Sequence, residues 1–289
     1  MPFKTRVPLE LQVVLNAPIS PHTQAIDTIR IDEDGWFTTL TPSSTWPAAN
    51  EVFFSNLDHC DPDPPIDRIV AEYHNRGLPI TWSVYPWSLP ADLGERLLAR
   101  GAAKTRIFAM LADTATSLEP VDGVHVERID PTCEKAYDAF IELMSSGYSL
   151  PPEEAAFRRL RYYELSTGPT PCMHLFLAYC KGAVTGCQAM IVQQEYGYLT
   201  GVYVRPEFSA RGVFQSLTIS GLRTLRDSGI RMAVGHSTEK SVFWAKRFGF
   251  REIYAYHIYQ LDCPPAAATC SDAGRALIED TDRPCPVTK

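Results

Sequence analysis

Apolar positions along this chain switch repeatedly between two periods, every second residue and every third or fourth. In the first third, GWFTTLT (35–41) and EVFFSN (51–56) are rich in aromatic and β-branched residues, which predicts strands. CDPDPPID (60–67) reads as a loop from its prolines, with Asp61 and Asp63 as turn formers rather than a cation site. DRIVAEYHNRG (67–77) predicts a helix stopped at Gly77, and LPITWSVYP (78–86) a strand. SLPADLGERLLARG (88–101) follows as a helix stopped at Gly101, then KTRIFAMLAD (104–113) as a strand.

A junction at 116–123 separates this from a second α/β run. VHVERID (124–130) is its first strand. PTCEKAYDAFIELMSS (131–146) and PPEEAAFRRLRYYELS (151–166) open on proline and repeat apolar residues at helical spacing. Three strands follow, CMHLFLAYC (172–180), AVTGCQAMIVQQ (183–194) and YGYLTGVYV (196–204), the first two joined by a Lys181-Gly182 hairpin turn. A helix up to Gly229, the strand IRMAVGHS (230–237), the helix EKSVFWAKRFG (239–249) and the strand REIYAYHIYQL (251–261) complete it. Beyond Cys263 the Pro/Ala/Ser/Asp-rich composition predicts a loosely ordered tail, 263–289. Residues 76–111 and 228–261 share the order glycine, strand, turn, helix, glycine, strand, which suggests that the first third is a degenerate copy of part of the second.

Composition narrows the function classes. A formal charge of −7 argues against a nucleic-acid backbone as main partner, and no apolar run is long enough for a membrane. The N-terminal sequence lacks the apolar core of a signal peptide, so a cytoplasmic location is expected. None of the eight cysteines forms a CxxC pair, so no metal site is expected, and Cys180 and Cys187 read as buried small apolar residues.

The stretch VRPEFSARGVFQSL (204–217) runs from a strand end through one glycine into an apolar-periodic helix. A helix start offers unpaired N–H groups and a partial positive charge, both suited to a phosphate. With Val204-Arg205-Pro206 at the strand end, Ser209 to Phe214 in the loop and Gly249-Phe250 before the last strand, residues 123–262 resemble the GNAT superfamily of N-acetyltransferases. That covers about half the chain, and the layout of the whole resembles tandem bacterial members. The resemblance implies a mixed central sheet of GNAT type in a C-terminal domain (123–262), behind a smaller degenerate GNAT-like α/β domain (1–118). It also implies acetyl-CoA as acyl donor, with its diphosphate on Ser209, Ala210, Arg211, Gly212, Val213 and Phe214. The pantetheine arm would pair with Val202, Tyr203 and Val204, and Glu239 stands where the family often has an Asn beside that arm. Two positions depart from the pattern: Ser209 replaces Arg or Gln, and Phe214 replaces Gly or Ala. Phe214 either turns into the helix–sheet core or occludes the donor.

The family's proton-donating Tyr falls on Ala245, so another group must serve the leaving thiolate. Tyr198 occupies the place of a strand carboxylate used as base by other members. Strand alternation puts Tyr198, Thr200 and Val202 on one face, expected to be the cleft. His236, at the end of its strand, is the candidate base, with an unperturbed pKa near 6.5. On the last strand, alternation turns half of Tyr254, Tyr256, His257 and Tyr259 inward, while Trp82, Tyr85 and Trp87 are either core or a wall for the acceptor. The expected activity is transfer of an acetyl group to a small amine or amino-acid-like acceptor. The alternatives are an aminoacyl-tRNA-dependent transferase and a non-catalytic binding protein with a degenerate loop.

Overall fold

The computed structural model describes residues 8–19, 27–33, 35–58, 61–115 and 117–263. Its first run comprises α1 (Leu9–Asn16), β1 (Ile29–Glu33), β2 (Trp36–Leu40), β3 (Glu51–Ser55), α2 (Asp63–His74), β4 (Ile80–Val84), α3 (Leu93–Ala99) and β5 (Ala103–Asp113). The second comprises β6 (Val124–Ile129), α4 (Glu134–Gly147), α5 (Pro152–Thr167), β7 (Met173–Cys180), β8 (Ala183–Val192) and β9 (Tyr196–Val204). It ends with α6 (Val213–Asp227), β10 (Met232–Thr238), α7 (Val242–Arg247) and β11 (Arg251–Leu261). The elements agree with the periodicity except at a few points. α1 and β1 lie where the pattern predicted nothing. α2 begins at Asp63 rather than Asp67, because prolines fit a first helical turn whose N–H groups have no intrahelical partner anyway. The tail beyond Cys263 lies outside the described residues. Cys180 and Cys187 are buried, as expected of small apolar residues.

The strands form one mixed 11-stranded sheet in the order β1-β2-β3-β4-β11-β5-β10-β9-β8-β7-β6. Each half contributes one parallel pair, β3 with β4 and β9 with β10. Each half also sends its last strand into the other. β5 lies between β10 and β11, antiparallel to both, and β11 lies between β4 and β5, again antiparallel to both. Read from either side of the β5–β11 ladder, the next strands are an antiparallel neighbour and then a parallel partner. The halves are thus arranged about a pseudo-twofold axis, which accounts for the repeated glycine–strand–helix order in the sequence.

Helices cover both faces. On one, α6 and α7 pack over Phe108, Met110 and Ala112 of β5, and α2 and α3 pack over Trp82 of β4 and Tyr259 of β11. On the other, α4 and α5 cover β7 and β8, while Val13, Val14 and Leu15 of α1 cover Ile107, Ala109 and Leu111 of β5. Between α1 and α5 this second face stays open at its centre. Among the described residues, no helix is long and apolar enough to cross a membrane.

Candidate active site

β9 and β10 begin as a regular parallel ladder and then part. Their register ends at Gly235↔Leu199, although β9 continues to Val204 and β10 to Thr238. The edge of β9 facing β10 is therefore open beyond Leu199, a place where an extended ligand arm can pair as a strand does. Against β8, Cys187 pairs with Tyr203 and Ala189 with Thr200, so Gly201 and Val202 together oppose Gln188. Gly201 takes φ +57°, a conformation that favours glycine. This bulge corrects the expected face. Tyr198 and Thr200 point into a cavity, but Val202 points to the opposite side, into the core beneath α6. Tyr203 turns toward α4, where a Cβ on Gly147 would meet its ring.

The loop after β9 is a 3-10 turn, Pro206–Phe208, leading to Gly212, which caps α6 at φ +74°. Among the described residues, no hydrogen bond uses the N–H of Ala210, Gly212, Val213, Phe214 or Gln215, and the first turn of α6 carries no acidic residue. Ser209, Ala210 and Arg211 are exposed beside them, so these residues fit a diphosphate. Gly212 has a structural role as well: a Cβ there would lie 2.4 Å from Val121 Cγ2. The Phe214 ring meets Phe248 edge to face at 5.5 Å, in the core between α6 and α7. Glu239 is exposed in the turn between β10 and α7. Ala245 lies on the buried face of α7, in the same core as Phe248 and Phe250.

The parallel pair of the first half parts in the same way after Val52↔Trp82. Its own chain closes the wedge: Asn56 bridges to Leu89, Leu57 N–H donates to the Leu89 carbonyl at 3.1 Å, and Trp82 Nε1 donates to Ser55 Oγ at 3.0 Å. Trp82 is therefore core. Of the three aromatics proposed as a wall, Tyr85 lines the cavity, and Trp87 stacks on it from outside at 5.3 Å.

That cavity, about 510 Å³, sits between the open centre of the sheet and α5, and both halves line it. Tyr198 and His236 meet there, ring centroids 5.8 Å apart, as strand position predicted. Both His236 nitrogens are engaged. Nε2 lies 3.2 Å from the Val14 carbonyl, which α1 cannot satisfy internally because residue 18 is proline and has no N–H. The ring proton therefore sits on Nε2, and Nδ1 accepts the Tyr256 hydroxyl at 2.9 Å. Burial pushes the His236 pKa down to about 4, the bond to Val14 opposing it. Of the last-strand candidates, Tyr254 and Tyr256 face this side of the sheet, while Tyr259 faces α3.

Two acids in the cavity, Glu51 and Glu154, were not picked out from the sequence. Glu51 on β3 is 8% exposed, and Ser83 Oγ donates to its Oε1 at 2.5 Å. Burial raises its pKa to about 8, with the Ser83 bond opposing. Its charge adds to burial in holding the Tyr85 and Tyr198 hydroxyls above their usual range. A Glu at the head of the aromatic-rich strand EVFFS was the signal. On the α5 side, buried Glu154 pairs with Arg158 at 2.9 Å and accepts from Ser44 Oγ at 2.8 Å, tying the two halves together. Arg158 stacks over Trp46, and Arg161 lines the same wall.

No family model matches the sequence, and no curated protein does. Solved structures match along most of its length. A GCN5-related N-acetyltransferase from Kribbella flavida superposes with TM-score 0.62 at 11% identity, over 90% of this chain and 97% of that one. A tandem GNAT protein from the clavulanic acid biosynthesis pathway gives TM-score 0.51 at 13% identity, over 88% and 89%. The fold is that of a tandem GNAT protein. A functionally unknown conserved protein from Staphylococcus epidermidis shares it, with TM-score 0.64 at 13% identity, over 83% and 96%.

Proposed function

We propose that the chain is an acetyl-CoA-dependent N-acetyltransferase whose acceptor is a small amine or amino-acid-like metabolite. The observation that carries this is the adjacency of two features. The β9–β10 pair parts beyond Leu199, next to Tyr198 and Thr200 of the cavity that also holds His236, and among the described residues the N–H groups at the mouth of α6 are left unused. In this proposal residues 123–262 hold the donor through the backbone of Val202, Tyr203 and Val204 and the loop from Ser209 to Phe214, with Glu239 near its arm. Residues 1–118 complete the acceptor wall. Bound acetyl-CoA supplies an acyl thioester, which a neutral amine attacks directly.

The chain's own groups position the amine and move protons. Tyr198 sits at the root of the splay and takes the part that Ala245 cannot, giving a proton to the departing thiolate. His236 is neutral at pH 7 and its free lone pair is committed to Tyr256, so it acts through that residue. It fixes the Tyr256 hydroxyl hydrogen toward itself and leaves the phenolic oxygen to accept from the amine. The Arg158 and Arg161 side chains on the α5 wall favour an acceptor that carries a carboxylate.

Thermal melting with acetyl-CoA, followed by thiol release with a panel of amino acids and their decarboxylated amines, tests the proposal. A rise in melting temperature with donor is expected, since a ligand bound to the native state alone stabilises it. Thiol release with amino acids exceeding that with their amines is expected next. No donor-dependent shift would refute the assignment.

A further inference from the structure

Resting on the acetyltransferase reading above, we propose that Glu51 binds the acceptor as its ammonium ion and serves as the general base. The residue comes from the half that holds no donor, so the active site is completed across the pseudo-twofold axis. Three observations carry this. Glu51 lies on the sheet floor of the cavity, in the wall that also holds Tyr198, His236 and Tyr256. Ser83 occupies one carboxylate oxygen, Oε1, and no described residue donates to Oε2. Finally, a carboxylate this buried is costly unless something compensates it, and one hydroxyl compensates it only in part. Tyr73, by contrast, is buried with its hydroxyl on the Thr39 carbonyl and has a plain structural role.

The surroundings suit a cation. Tyr85 stacks with Tyr256 at 4.9 Å in the same wall, and aromatic faces beside an acid favour an ammonium ion. The titratable groups that feel the Glu51 charge are Tyr73 on α2, Tyr85 following β4, Tyr198 on β9 and Tyr256 on β11, and His236 on β10 lines the same cavity. The charged groups of the cavity wall opposite are Glu154, Arg158 and Arg161 on α5. With burial raising its pKa to about 8, Glu51 is a stronger base than an ordinary carboxylate.

The proton balance closes. An N–H bond of the acceptor ammonium breaks and its proton passes to Glu51 Oε2. The freed lone pair forms the C–N bond at the acyl carbon, and the C–S electron pair leaves with sulfur. Tyr198 protonates the sulfur and is restored by the second proton lost from nitrogen. Glu51 returns its proton to solvent as the amide departs.

The test compares wild type, Glu51→Gln and Glu51→Asp as full chains. Acetyl-CoA affinity by calorimetry should be the same in all three, which checks folding and the donor site separately. With an amine that supports thiol release, Glu51→Gln should lower kcat by roughly 10²–10⁴-fold, and Glu51→Asp should restore part of it. The wild-type kcat/KM should rise with an apparent pKa near that of Glu51, and the variant should lose that limb. Wild-type turnover and an unchanged pH profile in Glu51→Gln would overturn the proposal. If no amine in the panel releases thiol, the acetyltransferase reading fails, and Glu51 is judged by amine protection. Ethylammonium and the panel amines should then raise the melting temperature of wild type but not of Glu51→Gln. Equal shifts in both, or none in either, would overturn it.

Discussion

The Tyr256 hydroxyl lies 2.9 Å from His236 Nδ1, and this bond decides what the histidine can do. A ring whose other nitrogen donates to Val14 has one lone pair, and Tyr256 uses it. The His236 pKa, lowered to about 4, also gives a stability signature. Below pH 6.5 the unfolded chain takes up a proton that the folded chain refuses until about pH 4. Stability from this residue is therefore complete above pH 6.5 and is lost as pH falls toward 4. His236→Gln should melt below wild type at pH 7, with the gap narrowing by pH 4.5. A gap independent of pH would mean that the histidine is not held neutral.

Glu51 should act in the opposite sense. Its folded pKa of about 8 lies above the unfolded value, so the unfolded chain releases a proton first and wild-type stability falls from about pH 4.5 to pH 8. Glu51→Gln should match wild type near pH 4.5 and exceed it at pH 8.5 by an amount on the order of a few kcal/mol. Calorimetric melting across that range checks it, and a variant less stable than wild type at pH 8.5 would contradict the burial argument.

For the phosphate loop, Gly212 is a poor probe. Its φ of +74° and the Val121 contact mean that a side chain there would strain the fold whether or not a ligand binds. Ala210 is exposed, and no described residue accepts a hydrogen bond from its N–H. Ala210→Asp should weaken CoA binding at least tenfold, about 1.4 kcal/mol, through charge repulsion at the mouth of α6, with little change in melting temperature. Unchanged affinity would move the donor elsewhere.

Stoichiometry follows from the closed wedge between β3 and β4. With Asn56 bridged to Leu89 and Trp82 bonded to Ser55, the described residues of the first half offer no parted inner strand edge like that of β9. Calorimetric titration should give one CoA per chain. Two would show that the wedge opens.

The parts of the site that the sequence made legible are those set by local chemistry. Period-two apolar residues marked the strands, and Gly212 before an apolar helix marked the loop. Tyr198 and His236 fell on one face of neighbouring strands because alternation is local. Val202 was misplaced because one bulge at Gly201 reverses the alternation, and periodicity does not show a bulge in the pairing of two strands. Glu51 was missed because its environment is assembled from β4, β9, β10 and β11, all distant in sequence. The exchanged strands were illegible for a related reason: a pattern tells which face of β5 is apolar, not which strands it lies between.

The exchange of β5 and β11 has a consequence for folding. Neither half can finish its hydrogen-bonding until the other has delivered a strand, so unfolding should be one cooperative transition rather than two. A cut between 115 and 123 would leave two fragments, each with its last strand seated in its counterpart. Such fragments should be unstable alone and regain structure on mixing, in the manner of a split protein.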